Sequence, residues 1–508
     1  MHKFLSLFLL LNIRTIKGQG DALVQPSIFD SSDGVLDTTL TIEYASFSGP
    51  HYTFTNSRLL NGTLPGPTLR LNAGDKLRIL FKNELELQAG AVTGQDNEYT
   101  DPDDSNLHFH GGHVSGELPS DDIRMHVVPG DEYQYETDFP ENHMPGTHWI
   151  HPHVHGSSAL QLGGGAAMAL IVKDPDDYLP NQVAEAEEYL MLIQNIRNNN
   201  LNTVISAIGD SKLSTSFSGG PRNFRLVNGQ YQPTITAQPG EWMRWRIIWG
   251  NWFNEHLNLS FNGATECEMQ LLAKDGIYIQ DYPRTLQTVP IPTGGRADIM
   301  VRCSAAGSFD VVDFDSLTVL TVIVTGDTVS STDLEAWTPS YPEYLTDLTS
   351  TSSTNGCDCQ TSIRGCDDSD KFCINDVLFD KSVYLHTIEF GSVVEREIRG
   401  VGGHPYHQHV YPFQLVDGLS LTDDEGQATY FQIGDWHDVI AMDLDSGGVT
   451  IRYVADVHQG VLMLHCHILT HEDLGTMAQE LIMDSGSCQC DALYEEPGES
   501  CSLFHYRC

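Results

Sequence analysis

Four widely separated segments of the chain each carry two histidines one residue apart, and this pattern limits the possible folds more than any other feature. The pairs are His108/His110, His151/His153, His407/His409 and His465/His467. Composition alone predicts about one such pair by chance. Residues i and i+2 of a β-strand point to the same face, so each pair presents two imidazoles to one side. Four such strands can bring eight histidines to one cluster.

The last of these segments also predicts a second site. His465-Cys466-His467 follows the apolar stretch Val461–Leu464, and we interpret it as the end of a strand. Cys466 then points away from its two flanking histidines. His404 lies an odd number of residues before the third pair, so it also points away from that pair. Cys466, His404 and His471 would form a Cys-His₂ set, which suits an electron-transfer copper.

The rest of the sequence predicts an all-β fold. Short runs rich in β-branched and aromatic residues, such as Thr39–Tyr44 and Lys76–Phe81, alternate with Gly, Pro and Asn turns. This pattern is typical of sandwiches or barrels. A weak repeat of turn, strand, Gly turn and strand occurs at 61–75 and 228–241, and in degenerate form at 372–391. Three copies predict three related β domains in tandem.

Composition marks the joints between these domains. Asp and Pro cluster between Asp174 and Pro180, and a Pro-rich segment at 338–342 precedes the Ser/Thr run Thr349–Thr354. We therefore predict a signal peptide at 1–20, domains at 21–178, 179–335 and 372–487, a cysteine-containing linker at 336–371, and a Cys-rich tail at 488–508.

Charge and targeting signals exclude several partners. The chain carries 27 basic and 69 acidic residues, a formal charge of −42, which disfavours nucleic acid and anionic membranes. The apolar run Phe4–Leu11 is too short to span a bilayer and is typical of a secretory signal. No later apolar run reaches the length of a membrane helix. We expect a secreted, soluble, extracellular monomer, with Asn61 and Asn258 as glycosylation acceptors.

Cysteine usage supports secretion. Setting Cys466 aside leaves an even number of cysteines, which predicts disulfides in an oxidising compartment. A metal role for the Cys-x-Cys pairs is the alternative, but no histidine lies beside them at zinc-type spacing. The ten cysteines are Cys267, Cys303, Cys357, Cys359, Cys366, Cys373, Cys488, Cys490, Cys501 and Cys508.

The four histidine motifs, in this order and at these spacings, resemble those of the multicopper oxidases, which include laccases, ascorbate oxidase, ferroxidases, cuprous oxidases and bilirubin oxidase. The resemblance covers nearly the whole mature chain. It implies three tandem cupredoxin-like Greek-key β-sandwich domains and four copper ions, namely one type 1, one type 2 and a type 3 pair. The implied ligands are His404, Cys466 and His471 for type 1, His108 and His407 for type 2, and His110, His151, His153, His409, His465 and His467 for type 3.

The resemblance also implies an activity. The enzyme would couple four one-electron oxidations of a small reducing substrate to the reduction of O₂ to two waters, with Cys466 passing electrons through His465 and His467. The leading interpretation is a laccase-like oxidase of phenols or aromatic amines. The alternative is a metal oxidase acting on Fe²⁺ or Cu⁺, although only 12 Met and no Met-rich insert argue against Cu⁺. A copper-free structural relative is a third reading, and the complete ligand set argues against it.

Forming water consumes protons, so carboxylates should approach the cluster. Glu472 matches a proton-donating Glu of many bacterial relatives. Asp121, eleven residues after His110, matches an acidic position near the type 2 copper of fungal laccases. Asp122 is the other candidate for this position. The remaining alternative is that Asp121 and Asp122 are both solvated residues of a loop.

Three positions depart from the family pattern. Thr476 stands at the axial position of the type 1 copper, one residue before Met477, and we expect no axial bond and a strongly oxidising copper. A local bulge that brings Met477 into the site is the alternative. Leu462 replaces a frequent Trp and is interpreted as packing. His155 extends the second pair, and we expect it to lie behind the ligands or in a loop. Surface or core roles are expected for His113, His143, His148, His386, His437 and His458.

Overall fold

The computed structural model describes residues 13–15, 20–218, 223–355, 359–366, 371–419, 426–442 and 448–484. Most of the predicted signal peptide, Cys357 and the predicted Cys-rich tail lie outside these residues. Within the described ranges, no helix is both long and apolar enough to cross a membrane.

Six sheets pair into three sandwiches along the chain. In the first, the order β12-β4-β3-β6-β8, in which β12 is Ser214–Phe217 and β1 lies beside β3, faces the order β2-β5-β10-β9-β7. The predicted all-β class is confirmed. The strands of this region are β1 (Ile13–Thr15), β2 (Ile28–Asp30), β3 (Val35–Ser48), β4 (Tyr52–Leu60), β5 (Thr68–Leu71), β6 (Lys76–Asn83), β7 (His108–His110), β8 (Glu132–Asp138), β9 (Gly146–His151) and β10 (Met168–Val172).

The second sandwich is built from an eight-stranded sheet and a five-stranded sheet. Their orders are β14-β13-β11-β16-β22-β18-β19, with β20 beside β18, and β15-β24-β23-β17-β21. The strands are β11 (Glu187–Arg197), β13 (Asn223–Val227), β14 (Gln230–Tyr231), β15 (Thr234–Ala237), β16 (Trp242–Trp249), β17 (Leu257–Phe261), β18 (Cys267–Lys274), β19 (Ile277–Tyr278), β20 (Arg284–Leu286), β21 (Val289–Ile291), β22 (Arg296–Cys303), β23 (Gly307–Asp313) and β24 (Leu317–Val324).

The third sandwich has the orders β26-β25-β28-β33-β30-β31 and β27-β35-β34-β29-β32. Its strands are β25 (Cys359–Gly365), β26 (Phe372–Ile374), β27 (Thr387–Glu389), β28 (Val393–Arg399), β29 (Tyr406–Gln408), β30 (Phe413–Asp417), β31 (Trp436–His437), β32 (Val439–Ile440), β33 (Gly448–Val454), β34 (Gly460–Cys466) and β35 (Met477–Met483). The short helices of the chain are α1 (Ser158–Gly163), α2 (Asn181–Ala184), α3 (Asn198–Ile208), α4 (Gln427–Tyr430) and α5 (Leu469–Glu472).

Residue alternation explains why a strand such as β6, which lies between β3 and β8, forms. Leu77, Ile79 and Phe81 are fully buried in the first sandwich, whereas the intervening residues are partly exposed. This period of two is the signature of a half-buried strand. By contrast, every residue of β34 after Gly460 is buried, because this strand is covered on both faces.

Candidate metal centre

The eight paired histidines converge between the first and third sandwiches. Strands β7 and β9 pair with His108 opposite His151, and β29 and β34 pair with His407 opposite His465. Each pair of histidines therefore lies within a strand, or begins within a strand and ends just after it. The imidazoles of the two sandwiches then face one another across a buried gap.

Nitrogen–nitrogen distances across this gap are short enough for shared metal ions. The Nε2 atoms of His108 and His407 lie 3.4 Å apart, and those of His153 and His465 lie 3.1 Å apart. His110 Nδ1 lies 3.3 Å from His467 Nε2. Three groups of three donors, with atoms within 4.8 Å of one another, can be formed from the eight histidines alone: His108/His110/His151, His108/His407/His409 and His153/His409/His465.

Burial keeps these imidazoles neutral, which is the form that binds a metal. It lowers the pKa of His151 to about 3 and that of His465 to about 4. Three buried ring nitrogens, His151 Nε2, His153 Nδ1 and His467 Nδ1, have no hydrogen-bond partner among the described residues. Clustered neutral imidazoles with unused nitrogens fit copper, zinc or another late transition metal.

Several imidazole rings are oriented by a hydrogen bond from the ring nitrogen that does not face the cluster. His108 Nδ1 donates to Asp121 Oδ2 at 2.9 Å, and the backbone N–H of Phe109 also donates to Asp121. His407 Nδ1 donates to the backbone carbonyl of Asp438. Fixing one nitrogen in this way turns the other toward the cluster. Of the two acidic candidates, Asp121 contacts a predicted ligand, whereas Asp122 pairs with Arg124 near the surface.

One pair of residues at the cluster was missed from the sequence. Asp438 lies 3.3 Å from Nε2 of His110, and Arg296 of the second sandwich binds both oxygens of Asp438. Gly111 has φ +86° and faces this guanidinium, so that a Cβ there would lie 2.1 Å from Arg296 Nη2. The glycines after His110 were therefore a signal of close packing.

The second predicted site forms on the other face of β34. Cys466 Sγ lies 3.5 Å from His404 Nδ1 and 3.8 Å from His471 Nδ1. The two Nδ1 atoms are 3.2 Å apart. Helix α5 begins three residues after Cys466, and its single turn brings His471 back to the thiol. Cys466 is a free, buried cysteine, and burial raises its thiol pKa.

The strand after this helix, β35, determines where Met477 lies. Met477 pairs with His465 in the β34–β35 ladder, and cross-strand partners share a face. Its side chain packs with Ile123, Val461 and Met463, on the side of the strand opposite to Cys466. The alternative in which a bulge turns Met477 into the site does not occur.

Glu472 and His155 form a buried contact next to the histidine cluster. His155 Nδ1 lies 2.9 Å from Glu472 Oε1, and its Nε2 lies 3.1 Å from Asn97 Oδ1. The side chain of His155 is 17% exposed, whereas that of Glu472 is fully buried. Burial raises the pKa of Glu472 to about 8. His155 lies in the turn that follows His153, which is one of the two placements expected for it.

A cavity of about 280 Å³ lies beside His471. Three aromatic rings and one ammonium group line it, together with polar side chains of α3 and apolar ones, and none of its lining residues is acidic. The lining residues are Tyr99, Asn200, Thr203, Val204, Phe253, Lys371, Phe372, Thr470, His471 and Leu474.

Comparison with known proteins finds one family in all three regions of the chain that form the sandwiches. Multicopper oxidase domains match residues 41–177, 177–325 and 338–485. A multicopper oxidase of Staphylococcus aureus is 25% identical over 483 residues, covering 92% of this chain and 94% of the relative.

Two solved structures share the fold. A laccase from Pediococcus acidilactici superposes with a TM-score of 0.69 at 19% identity, over 93% of this chain and 95% of its own. A multicopper oxidase from Campylobacter jejuni, described as a metallo-oxidase, has a TM-score of 0.66 at 21% identity, over 93% and 98%. These likenesses establish the three-domain cupredoxin architecture.

Proposed function

The chain belongs to the multicopper oxidase family of O₂-dependent oxidoreductases, and on this premise we propose that it is a laccase-like oxidase. Its reducing substrate would be a phenol or an aromatic amine, oxidised in four one-electron steps while O₂ is reduced to two waters. The observation that carries the choice of substrate is the cavity beside His471.

The eleven predicted donors fit four copper ions in two groups. His404, Cys466 and His471 would hold a type 1 ion, and His108 with His407 a type 2 ion. Bound copper would supply the one-electron redox chemistry and the O₂ reduction. Cys466 lies directly between His465 and His467 in the chain, so only the bonds of this segment separate the two groups. The proposed type 3 ligands are His110, His151, His153, His409, His465 and His467.

Two carboxyl groups are proposed to serve proton delivery. Asp121 accepts a hydrogen bond from His108, which holds the proton of that imidazole on Nδ1. Glu472 contacts His155, whose partly exposed ring lies between Glu472 and the surface loop of Asn97. Both positions support the roles that general acid–base chemistry would require of them.

The chemistry of the cavity favours an aromatic substrate over a metal ion. Tyr99, Phe253 and Phe372 offer ring faces and edges against which a phenol can pack. Fe²⁺ would require oxygen donors such as carboxylates, and Cu⁺ would require thiolate or thioether donors. No carboxylate, thiolate or thioether lines this cavity, and its one charged group, Lys371, pairs with Glu98.

The alternative function is a metal oxidase. The formal charge of −42 supports it, because an acidic surface raises the local concentration of Fe²⁺ or Cu⁺. It would need an entry site for the ion other than the cavity beside His471.

We further propose that the protein is a secreted monomer, and the disulfides Cys267–Cys303 and Cys366–Cys373 support secretion.

Copper content and initial rates test the function together. About four copper ions per chain with an intense blue thiolate band are expected, and Cys466→Ser should lose both the band and substrate oxidation. The initial rate on a methoxyphenol should exceed that on Fe²⁺, and Tyr99→Ala should raise KM for the phenol alone. Faster oxidation of Fe²⁺, unaffected by Tyr99→Ala, would instead favour the metal oxidase.

A further inference from the structure

The two histidines of the Cys466 site are covered by an aromatic ring from a distant segment. The Phe372 ring centroid lies 4.5 Å from that of His404 and 4.3 Å from that of His471. Phe372 begins β26, which pairs with β25 at the edge of the third sandwich. It lies 94 positions before Cys466 in the chain, so no spacing within the His-Cys-His segment points to it.

The residue at the usual axial position is held to this same segment. The Thr476 hydroxyl donates to the backbone carbonyl of Phe372 at 3.0 Å, and Thr476 is fully buried. Its backbone N–H donates to the carbonyl of His471. The hydroxyl is therefore engaged away from the thiolate, and Met477 packs on the opposite face of the sheet.

Contacts on both sides fix the position of Phe372. The preceding residue, Lys371, donates to the carbonyl of Asn97 and pairs with Glu98 in the first sandwich. The following residue, Cys373, is joined to Cys366 by a disulfide. An anchored ring holds its place over the two histidines better than a free loop residue would.

We propose that Phe372, rather than residue 476 or 477, sets the reduction potential of the type 1 copper. An apolar ring over His404 and His471 excludes water and offers no donor atom, so a copper ion held there would have only His404, Cys466 and His471 as donors. A site without a thioether or water ligand stabilises Cu⁺ relative to Cu²⁺ and is a strong oxidant. The inference rests on the proposed function, because it requires copper at His404, Cys466 and His471.

Phe372 also lines the cavity beside His471, so the same ring separates bound substrate from the type 1 site. Substitutions there can change both KM and the reduction potential. Phe253 lines the same cavity and serves as a matched control for the effect on KM. Met477 is the matched control for the potential, because it follows Thr476 but faces away.

The test is a potentiometric titration of the blue band in the copper-loaded full chain. Phe372→Met should lower the potential by at least the equivalent of a tenfold change in the one-electron equilibrium constant, about 59 mV. Phe372→Ala should lower it by admitting water, whereas Phe372→Leu should retain it. Phe253→Leu and Met477→Leu should leave the potential unchanged.

Three outcomes would overturn the proposal. If Phe372→Met and Phe372→Ala keep the wild-type potential while retaining their blue band and its electron paramagnetic resonance signal, the ring does not control the site. If Met477→Leu shifts the potential instead, Met477 controls it. A wild-type protein that takes up copper without any blue band would overturn the proposed function itself.

Discussion

At the scale of single residues, Arg296 has an influence beyond its own sandwich. It is fully buried, binds both oxygens of Asp438, and thereby fixes the carboxylate that contacts His110. Asp275 lies 3.6 Å from the same guanidinium. A residue from the sandwich that contributes none of the eleven predicted donors thus orients one of them.

Arg296→Met should therefore damage both stability and metal binding. Removing one partner of a buried ion pair costs about 3–5 kcal/mol, because Asp438 would remain buried without its counter-charge. The free energy of unfolding from denaturant titration and the copper content per chain should both fall. Arg70→Met, which breaks the exposed pair with Asp30, is the control and should cost about 1 kcal/mol or less. Equal losses in the two variants would contradict this role.

The predicted donors could be found from the sequence because strand parity is a local rule. It requires only that His465 and His467 share a face and that Cys466 takes the other. Asp438, Arg296 and Phe372 follow no such rule, since they reach the sites through tertiary packing of separate segments. The place of Met477 likewise required the register of β35 against β34.

At the scale of elements, the sequence predicts which segments form strands better than it predicts which strands pair with one another. Alternation within β6 is visible in the sequence, but the pairing of β12 with β4 joins a segment of the predicted second domain to the first sheet. A four-residue edge strand carries too little pattern to specify its neighbour. Strand β25 forms within the segment predicted as a linker, where its terminal Cys and Gly resemble a loop.

The disulfide between β18 and β22 gives a prediction at this scale. Cys267 and Cys303 are directly opposed in the ladder and close a loop with a sequence separation of 36. The chain-entropy estimate for such a loop is about 3–4 kcal/mol. Replacing both cysteines by Ala should lower the free energy of unfolding by this amount and weaken amide hydrogen-exchange protection in β18 and β22.

The blue thiolate band is the control measurement for the variant in which Cys267 and Cys303 are replaced by Ala. The second sandwich supplies none of the predicted donors, so the spectrum of the copper-loaded double variant should match that of the wild type. A lost band would mean that the disulfide also positions the metal sites, contrary to this expectation.

At the scale of the whole molecule, buried charges join the three sandwiches. Arg246 of the second sandwich forms an ion pair with Asp174 of the first, and Lys274 of the second forms an ion pair with Asp435 of the third. Ionic pairs of this kind specify a relative orientation, because each buried charge requires its partner. The second sandwich therefore fixes the arrangement in which the histidines of the first and third meet.

Buried histidines outside the metal sites make this arrangement sensitive to acid. His143 accepts a hydrogen bond from the backbone N–H of His113, and its ring packs against His148. Burial lowers the pKa of His143 to about 4 and that of His113 to about 3. That of His148 is also lowered, by burial and by the nearby cations Arg296 and Arg246.

The sign of the pH effect follows from these shifts. Below about pH 6.5 the unfolded chain binds a proton at each of these histidines, whereas the folded chain does not until near pH 4 or lower. Their neutral burial therefore contributes stability that is present above pH 6.5 and is lost as the pH falls toward 4. Each histidine contributes a slope of about 1.4 kcal/mol per pH unit in this window.

His143→Gln tests this account, because Gln can keep both hydrogen bonds of the ring without titrating. Between pH 7 and pH 5 the variant should lose about 2 kcal/mol less of its free energy of unfolding than the wild type. Denaturant titration of the copper-free protein removes any contribution from metal release, and the surface substitution His126→Gln is the control. If His143→Gln loses as much stability as the wild type over this range, protonation of His143 does not contribute to acid unfolding, and the sensitivity must arise among the other buried histidines.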